Sequence, residues 1–480
     1  MQLEGSFDID QPRALVWQKI KDPTMMAGSI PGCENIEQID GQNYTATVGI
    51  KVGIIKASFN LAVEVTKEIE PSELHSRTTG QEGSRASMVT TESVVTLSEI
   101  DPQKTRLDYT SDVMVSGRLG KYGLGMMKKQ TDRLAEEFAQ NFNRALSDDS
   151  APDQISEETQ IPNAWQKFLG LIGIGSVEET SDVKPVPMPR GENDQLLFPQ
   201  TTNEALSQLS NQPGRLPISG GATLVAMLNA NLIDPSALVN LKPIPELAEI
   251  NLMEDGSIRI GALSRHAMTA SSDLLVGSLS GVKNAASKIA NPTVRNMGTM
   301  GGSIAFADPA ADYAPALVAA EAEIEIASLK GVRRVSATDF FVDWYKTALN
   351  DGEIVQAIYL PKPDTACVAH HEKFARVEGD FATVSVNIIL KLDGSICQDI
   401  RVAVGACGPT PVRDRSIEKT LIGTSLSEQE ILQAGKSLAK QCDPIDDVRG
   451  SASYRLKLVP QLLLRAIEAV QRQFVEGEAA

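Results

Sequence analysis

The sequence predicts a multidomain α+β protein, and three observations carry that reading. The chain has 480 residues, too many for one hydrophobic core at roughly 150 residues per domain. Its first third alternates apolar and polar residues with period two, whereas the later part mixes strand and helix patterns. Between them lies a stretch dense in acidic residues and proline, which reads as a linker. Apolar residues make up 42% and charged residues 22%, with a formal net charge of −17. That composition suits a globular protein with no electrostatic attraction for phosphate backbones, so no nucleic-acid partner is expected.

Taken in order, Met1–Asp10 alternates like a strand and Pro12–Lys21 forms a short helix that stops at Asp22-Pro23. Alternating segments include Tyr44–Val52, Lys56–Val65, Arg85–Leu97 and Thr105–Val115. A long helix is expected from Lys121 to Leu146, with Leu124, Met127, Leu134, Phe138, Phe142 and Leu146 on one face. Residues 1–148 thus predict a curved sheet gripping a helix over an apolar cavity. Residues 149–190 form the acidic linker, stiffened at its exit by Pro185, Pro187 and Pro189. Inside it, an apolar island at 161–177 holds Trp165, Phe168, Leu169, Leu171 and Ile172 beside Lys167. It suits a membrane interface or a docking clip on another subunit equally. Residues 191–364 and 365–480 make two further units, jointed near Pro361–Pro363 after the strand Ile354–Leu360. The last unit should have three strands followed by helices at Ser427–Gln441 and Tyr454–Arg472.

No apolar run reaches the ~20 residues that cross a bilayer. The cysteines, Cys33, Cys367, Cys397, Cys407 and Cys442, form no CxxC pair, and the four histidines form no HxxxH or HExxH pattern. A reducing compartment is therefore expected, with no metal site on this chain. Asp112 and His75 have no evident partners and read as surface residues, and Cys33 reads as a turn residue.

The chemical signals are two glycine-rich segments. Ile218-Ser219-Gly220-Gly221-Ala222-Thr223-Leu224 follows the short strand Arg215–Ile218 and precedes a helix reaching Asn229. Paired glycines let the backbone approach a ligand, and a helix start offers free amides, which suits a diphosphate. The segment is neither GxGxxG nor a P-loop. Asn296-Met297-Gly298-Thr299-Met300-Gly301-Gly302-Ser303, then Asp308-Pro309-Ala310-Ala311-Asp312, lies between helical Val282–Ala290 and a helix starting near Asp312. Two such amide cradles facing one groove can hold a single long dinucleotide.

Together with Lys373-Phe374-Ala375-Arg376, Gly379-Asp380-Phe381-Ala382, Gly408-Pro409-Thr410-Pro411-Val412-Arg413 and Asp446–Ser451 with Tyr454-Arg455, these segments resemble the FAD-binding medium subunit of the molybdenum hydroxylases, and carbon monoxide dehydrogenase most nearly. The resemblance covers about 190–475. It implies that Ile218, Ser219, Gly220, Gly221, Ala222, Thr223 and Leu224 line the pyrophosphate and ribityl chain of FAD, with Thr299, Gly301, Gly302 and Ser303 completing the cradle. Asp312, Val355 and Lys373 would be an acidic, an apolar and a basic contact, and Asp380 would orient the ring edge. Ala222 departs from the family's usual histidine or threonine. On the sequence alone Lys373 is a solvated strand-end lysine; beside a flavin it would favour anionic reduced forms. Arg449 and Tyr454 read as packing of the terminal domain.

Residues 1–146, with Gly5-Ser6-Phe7, Ile30-Pro31-Gly32-Cys33 and Gly117-Arg118-Leu119-Gly120, resemble the G-type subunit of carbon monoxide dehydrogenase, within the helix-grip superfamily. The implied chain is an electron-transfer subunit carrying FAD. It would work with a large molybdenum-cofactor subunit and a small [2Fe–2S] subunit in a dimer of heterotrimers. The expected acceptor is a quinone and the expected place is the cytoplasm, peripheral to the inner face of the membrane. Rival readings are a non-catalytic recruitment scaffold, and the flavin subunit of a purine or aldehyde hydroxylase using NAD or oxygen. A self-contained flavin oxidase is disfavoured by the lack of an acid–base pair for substrate.

Overall fold

The structure, a computed structural model, describes residues 2–52, 55–82, 87–117, 137–146, 195–230 and 232–478. The linker, its apolar island and residues 121–136 of the expected helix, with Leu124, Met127 and Leu134, lie outside the described residues, as does 118–120 of the glycine run.

Seven antiparallel strands form the N-terminal unit: β1 Gln2–Ile9, β2 Cys33–Gln38, β3 Asn43–Val52, β4 Ile55–Ile69, β5 Glu73–Glu82, β6 Ser87–Asp101 and β7 Lys104–Gly117. Their order, β1-β7-β6-β5-β4-β3-β2, is a meander from β2 to β7 that β1 closes on the far edge. The expected first helix is present at Arg13–Ile20. Asp22-Pro23 ends it but also starts a second helix, Pro23–Ser29, which the sequence reading did not anticipate. Asp22 accepts from the amides of Thr24 and Met25, and proline fits the first helical position because its missing N–H has no partner there anyway. The helix at 137–146 lays Phe138 and Phe142 against the sheet, with Phe7 and Phe138 ring centroids 6.1 Å apart. Ile9, Val16, Trp17, Leu97, Leu107 and Phe142 form the buried core, and a strand meander closed on a terminal helix is the helix-grip arrangement. His75, expected without a partner, contacts Glu73.

The second part begins with a small parallel sheet of β8 Gln195–Leu197, β9 Arg215–Ile218 and β10 Ala237–Asn240, in the order β8-β10-β9. β11 Ile250–Leu252, β12 Ile258–Gly261, β13 Glu323–Ser328, β14 Gly331–Ser336, the short pair β15 Phe341–Asp343 and β16 Lys346–Thr347, and β17 Ile354–Leu360 follow. Five of them make an antiparallel sheet, β11-β12-β17-β13-β14, with short helices inserted between β12 and β13. Helix Tyr313–Ala319 is buried at every position because alanine, valine and leucine leave no polar face. The last part pairs β18 Val368–Phe374, β19 Val384–Asp393 and β20 Ile396–Gly405 antiparallel.

Helices Arg415–Leu421, Glu428–Ala439 and Ala452–Glu478 cover that sheet. The first of these was not expected; Asp414 starts it by accepting from the amides of Ser416 and Ile417. Ser427 and Glu430 form a capping box on the second. Gly435 lets it close on the third, since a Cβ there would lie 2.5 Å from Pro460 Cα.

Candidate functional site

Strand β9 hands the chain to the first glycine pair. Gly220 is buried against the second glycine segment, and a Cβ on it would sit 2.2 Å from Met297 O. Gly221 has φ +75°, a left-handed conformation open to glycine and strained for most other residues. The amides of Gly220, Gly221, Ala222 and Thr223 make no hydrogen bond to other described residues, and Ala222 and Thr223 are exposed. A short row of free donors therefore precedes helix Leu224–Asn229, exposed at Ala222 and Thr223 and buried at Gly220.

The second segment differs from its expected form. Helix Pro292–Met297, capped by Asn291, precedes it, and Met300–Phe306 is itself helical. Thr299 caps that helix, its Oγ1 accepting from the amide of Gly302 at 3.2 Å. The Gly301 amide donates to Ala262 O at 2.8 Å. The amides of Gly301 and Gly302 are thus used inside the protein rather than forming a second open cradle, because a threonine three residues before an amide closes a helix start. The smallness of these glycines is what the fold uses: a Cβ on Gly301 would meet the Ala262 backbone, and Gly302 is exposed. Hydroxyls join the two segments, with Ser219 Oγ and Thr299 Oγ1 2.9 Å apart across 80 residues of sequence. The two turns touch directly, as binding of one long ligand requires. Donors there are the free amides and one of the two hydroxyls, since Ser219 and Thr299 use the other hydrogen between themselves, with the half-buried Ser303 next in the helix.

His266 supports the second segment from behind. Its amide donates to Gly298 O at 3.0 Å, its Nδ1 lies 3.1 Å from Tyr313 OH, and only glycine fits at 298 because a Cβ would lie 2.4 Å from His266 Nε2. Burial pushes the His266 imidazole down to about 4, so it stays neutral, and pushes the Tyr313 phenol up.

A buried polar cluster surrounds Asp312. Asp312 makes no cap bond to the helix it precedes. Its Oδ2 takes Lys373 Nζ at 2.8 Å and its Oδ1 faces His371 Nε2 at 3.1 Å. The Lys373 side chain is only 5% exposed, which overturns the solvated strand-end reading. Strand alternation explains it: along β18, Ala369 and His371 are buried while Val368 and His370 are less so, and Lys373 continues the inward face. Lys373 also donates to Lys288 O at 3.1 Å, and Lys288 Nζ donates to His371 O. Burial lowers both Lys288 and His371.

Val355 is buried in the core with Ile304 and Ile326, on a strand flanked by two others. Asp380 is committed locally: Oδ2 pairs with Arg376 Nη2 at 3.1 Å and Oδ1 accepts from the Phe381 amide. Asp308 begins a turn rather than a helix. Its Oδ1 accepts from the Ala310 amide and its Oδ2 from Tyr345 OH at 3.3 Å, and burial raises its carboxyl. Arg413 ties the last unit to the middle one, reaching Glu418 at 2.8 Å and Glu321 at 3.1 Å. Arg449 lies 5.2 Å from the Phe381 ring and pairs with Asp447, in keeping with a packing role, and Tyr454 is partly exposed. The sequence reading missed His266, Lys288 and His371. The doublet His370-His371 inside an alternating strand was the available signal, since one of the two must point inward.

These residues suit an FAD: two segments packed so closely that no side chain fits at 220 or 301, free amides for a diphosphate, and a buried cation at Lys373. The chain matches the FAD binding domain in molybdopterin dehydrogenase over 192–363, the CO dehydrogenase flavoprotein C-terminal domain over 369–470 and the carbon monoxide dehydrogenase CoxG family over 5–147. It is 33% identical to the glyceraldehyde dehydrogenase medium chain of Sulfolobus acidocaldarius over 271 residues, which is 56% of this chain and 96% of that one. It is 32% identical to the carbon monoxide dehydrogenase medium chain of Afipia carboxidovorans, covering 52% of this chain and 87% of that one. A crystal structure of the cyanide-inactivated Cu,Mo-CO dehydrogenase aligns with a TM-score of 0.56 at 30% identity, over 58% of this chain and 98% of that one. The chain therefore belongs to the FAD-binding medium-subunit family of the molybdenum hydroxylases, joined in one polypeptide to a domain of the carbon monoxide dehydrogenase CoxG family.

Proposed function

We propose that this chain receives electrons from a reduced [2Fe–2S] cluster on a small partner subunit and passes them through FAD to a membrane quinone. Substrate is oxidised at the molybdenum cofactor of a large subunit. In this reading the chain works as units 1–148, 191–364 and 365–480 with 149–190 as linker, and the N-terminal domain brings the complex to the membrane. The observation that carries the flavin assignment is the contact of the two glycine segments through Ser219 and Thr299. Carbon monoxide is the favoured substrate, because the CoxG match at 5–147 accompanies the flavoprotein match.

The free amides of Gly220–Thr223 bind the pyrophosphate, with Ile218 and Leu224 flanking them and the hydroxyls of Ser219, Thr299 and Ser303 along the ribityl chain. Gly301 and Gly302 keep that wall thin. Lys373, held by Asp312, places a fixed positive charge toward the isoalloxazine, with Val355 behind and Asp380 at the ring edge. FAD supplies the chemistry of taking electrons singly and releasing them singly or in pairs.

Co-purification from the native source tests the reading. The expected result is a complex with a large and a small subunit, flavin absorbance, and carbon monoxide oxidation coupled to a quinone analogue and not to NAD. A purified chain without flavin bands points to a recruitment scaffold. Coupling to NAD instead removes the quinone and with it the reason for membrane attachment. For the attachment itself, liposome flotation with and without 160–177 is decisive: equal flotation removes any membrane role of the island.

A further inference from the structure

Asp312, Lys373, Lys288 and His371 form a closed ring of hydrogen bonds. Lys373 Nζ donates to Asp312 Oδ2 at 2.8 Å and to Lys288 O at 3.1 Å. Lys288 Nζ donates to His371 O. His371 Nε2 lies 3.1 Å from Asp312 Oδ1 and closes the circuit. Behind the ring, Asn387 Nδ2 lies 3.5 Å from His371 Nδ1 and 3.4 Å from Gly281 O. An amide donor at Nδ1 makes that nitrogen the acceptor, so Nε2 carries the hydrogen that Asp312 accepts. His371 and Asn387 are almost wholly buried.

The ring leaves one donor over. An ammonium has three N–H groups, and Lys373 uses two of them on Asp312 and Lys288. With both acceptors fixed, the third N–H has a single direction. Of these two partners only Asp312 is free to shift, because the other is the backbone carbonyl of Lys288. The hydrogen bond from His371 to its second oxygen removes that freedom.

We propose that His371 is a positioning residue for the flavin site: by holding Asp312 Oδ1 it fixes the carboxylate, and through it aims the remaining N–H of Lys373 at the bound isoalloxazine. The inference rests on the reading of Lys373 as a flavin contact. Without His371, Asp312 has one unpaired oxygen in a dry site and draws the ammonium onto itself, which withdraws donor and charge from the reduced flavin.

The test is the midpoint potential of FAD in the full-length chain, measured by spectroelectrochemistry for the wild type, Lys373→Met, His371→Leu and His371→Gln. Lys373→Met and His371→Leu are expected to make reduction about tenfold less favourable, roughly 30 mV for a two-electron couple. His371→Gln keeps an N–H donor and is expected to stay near the wild type. A potential unchanged in His371→Leu but shifted in Lys373→Met overturns the positioning role and leaves the flavin contact standing. An unchanged potential in Lys373→Met overturns the contact and everything built on it. Should His371→Leu not fold, Asn387→Ser decides. A fall smaller than that of Lys373→Met upholds the role, and no change overturns it.

Discussion

In the N-terminal sheet domain, charges meet at the surface: Arg106 with Asp8, Arg77 with Glu92 and Lys67 with Glu73, all substantially exposed. Its core of Ile9, Val16, Trp17, Leu97, Leu107 and Phe142 is apolar but for one indole nitrogen. In the flavoprotein half the pairs Lys373–Asp312 and Arg413–Glu418 are nearly all inside, each side chain under 10% exposed. Taking ions out of water costs several kcal/mol apiece, and apolar replacements are often as stable. Buried charge is therefore weak as a device for stability. Among the described residues, pairs this deeply buried occur in the flavoprotein half and not in the N-terminal domain, one at the candidate site and one in the last unit.

Four experiments break or sharpen that contrast. The largest effect is expected from Gly220→Ala, whose Cβ would press on Met297 O at 2.2 Å. FAD content, read from the ratio of visible to ultraviolet absorbance, should fall nearly to zero. Gly41→Ala in the N-terminal domain, where a Cβ meets nothing within 4 Å, should leave it unchanged.

Asp312→Ala comes next. It strands the Lys373 ammonium in a dry interior and should destabilise the flavoprotein half by about 3–5 kcal/mol in denaturant. Breaking the exposed Arg106–Asp8 pair should not move the N-terminal transition. Equal sensitivity of the two pairs would erase the contrast.

The third prediction concerns pH. Burial depresses His266 from 6.5 to about 4 and His371 in the same direction, so the folded flavoprotein half binds fewer protons than its unfolded chain within that window. The contribution of His266 should be full above pH 6.5 and fall by up to about 3 kcal/mol as the pH drops toward 4. Denaturant midpoints at pH 7 and pH 4.5 measure it, and His266→Gln should flatten the dependence. The smallest effect is Thr299→Val, which removes the cap on Gly302 and the contact to Ser219. It should cost about 1 kcal/mol and weaken FAD binding several-fold.

Local rules carried the reading a long way. Period-two alternation located the N-terminal strands, and the apolar stripe at Phe138, Phe142 and Leu146 located its terminal helix. Strand β17 runs over Ile354–Leu360, as alternation and the following proline indicate. Reading failed where one residue serves two neighbours. Asp22 and Asp414 each start a helix that follows a break, and Thr299 turns an apparent glycine loop into a helix start. The polar cluster was half visible: Asp312 and Lys373 were singled out by resemblance, whereas His371, Lys288 and Asn387 were passed over. A buried histidine and a surface histidine look alike until the strand's inward face is known.

The sequence by itself determined the α+β class, most of the N-terminal strands and the places of the two glycine-rich segments, because propensity and alternation act within a few residues. Only the tertiary structure decided that Ser219 meets Thr299, that the second turn spends its amides inward, and that Lys373, Asp312, His371 and Lys288 close a ring. The Ser219–Thr299 contact and the ring depend on bonds between residues 59 to 85 apart. Such contacts are set by how sheets and helices pack rather than by any local pattern.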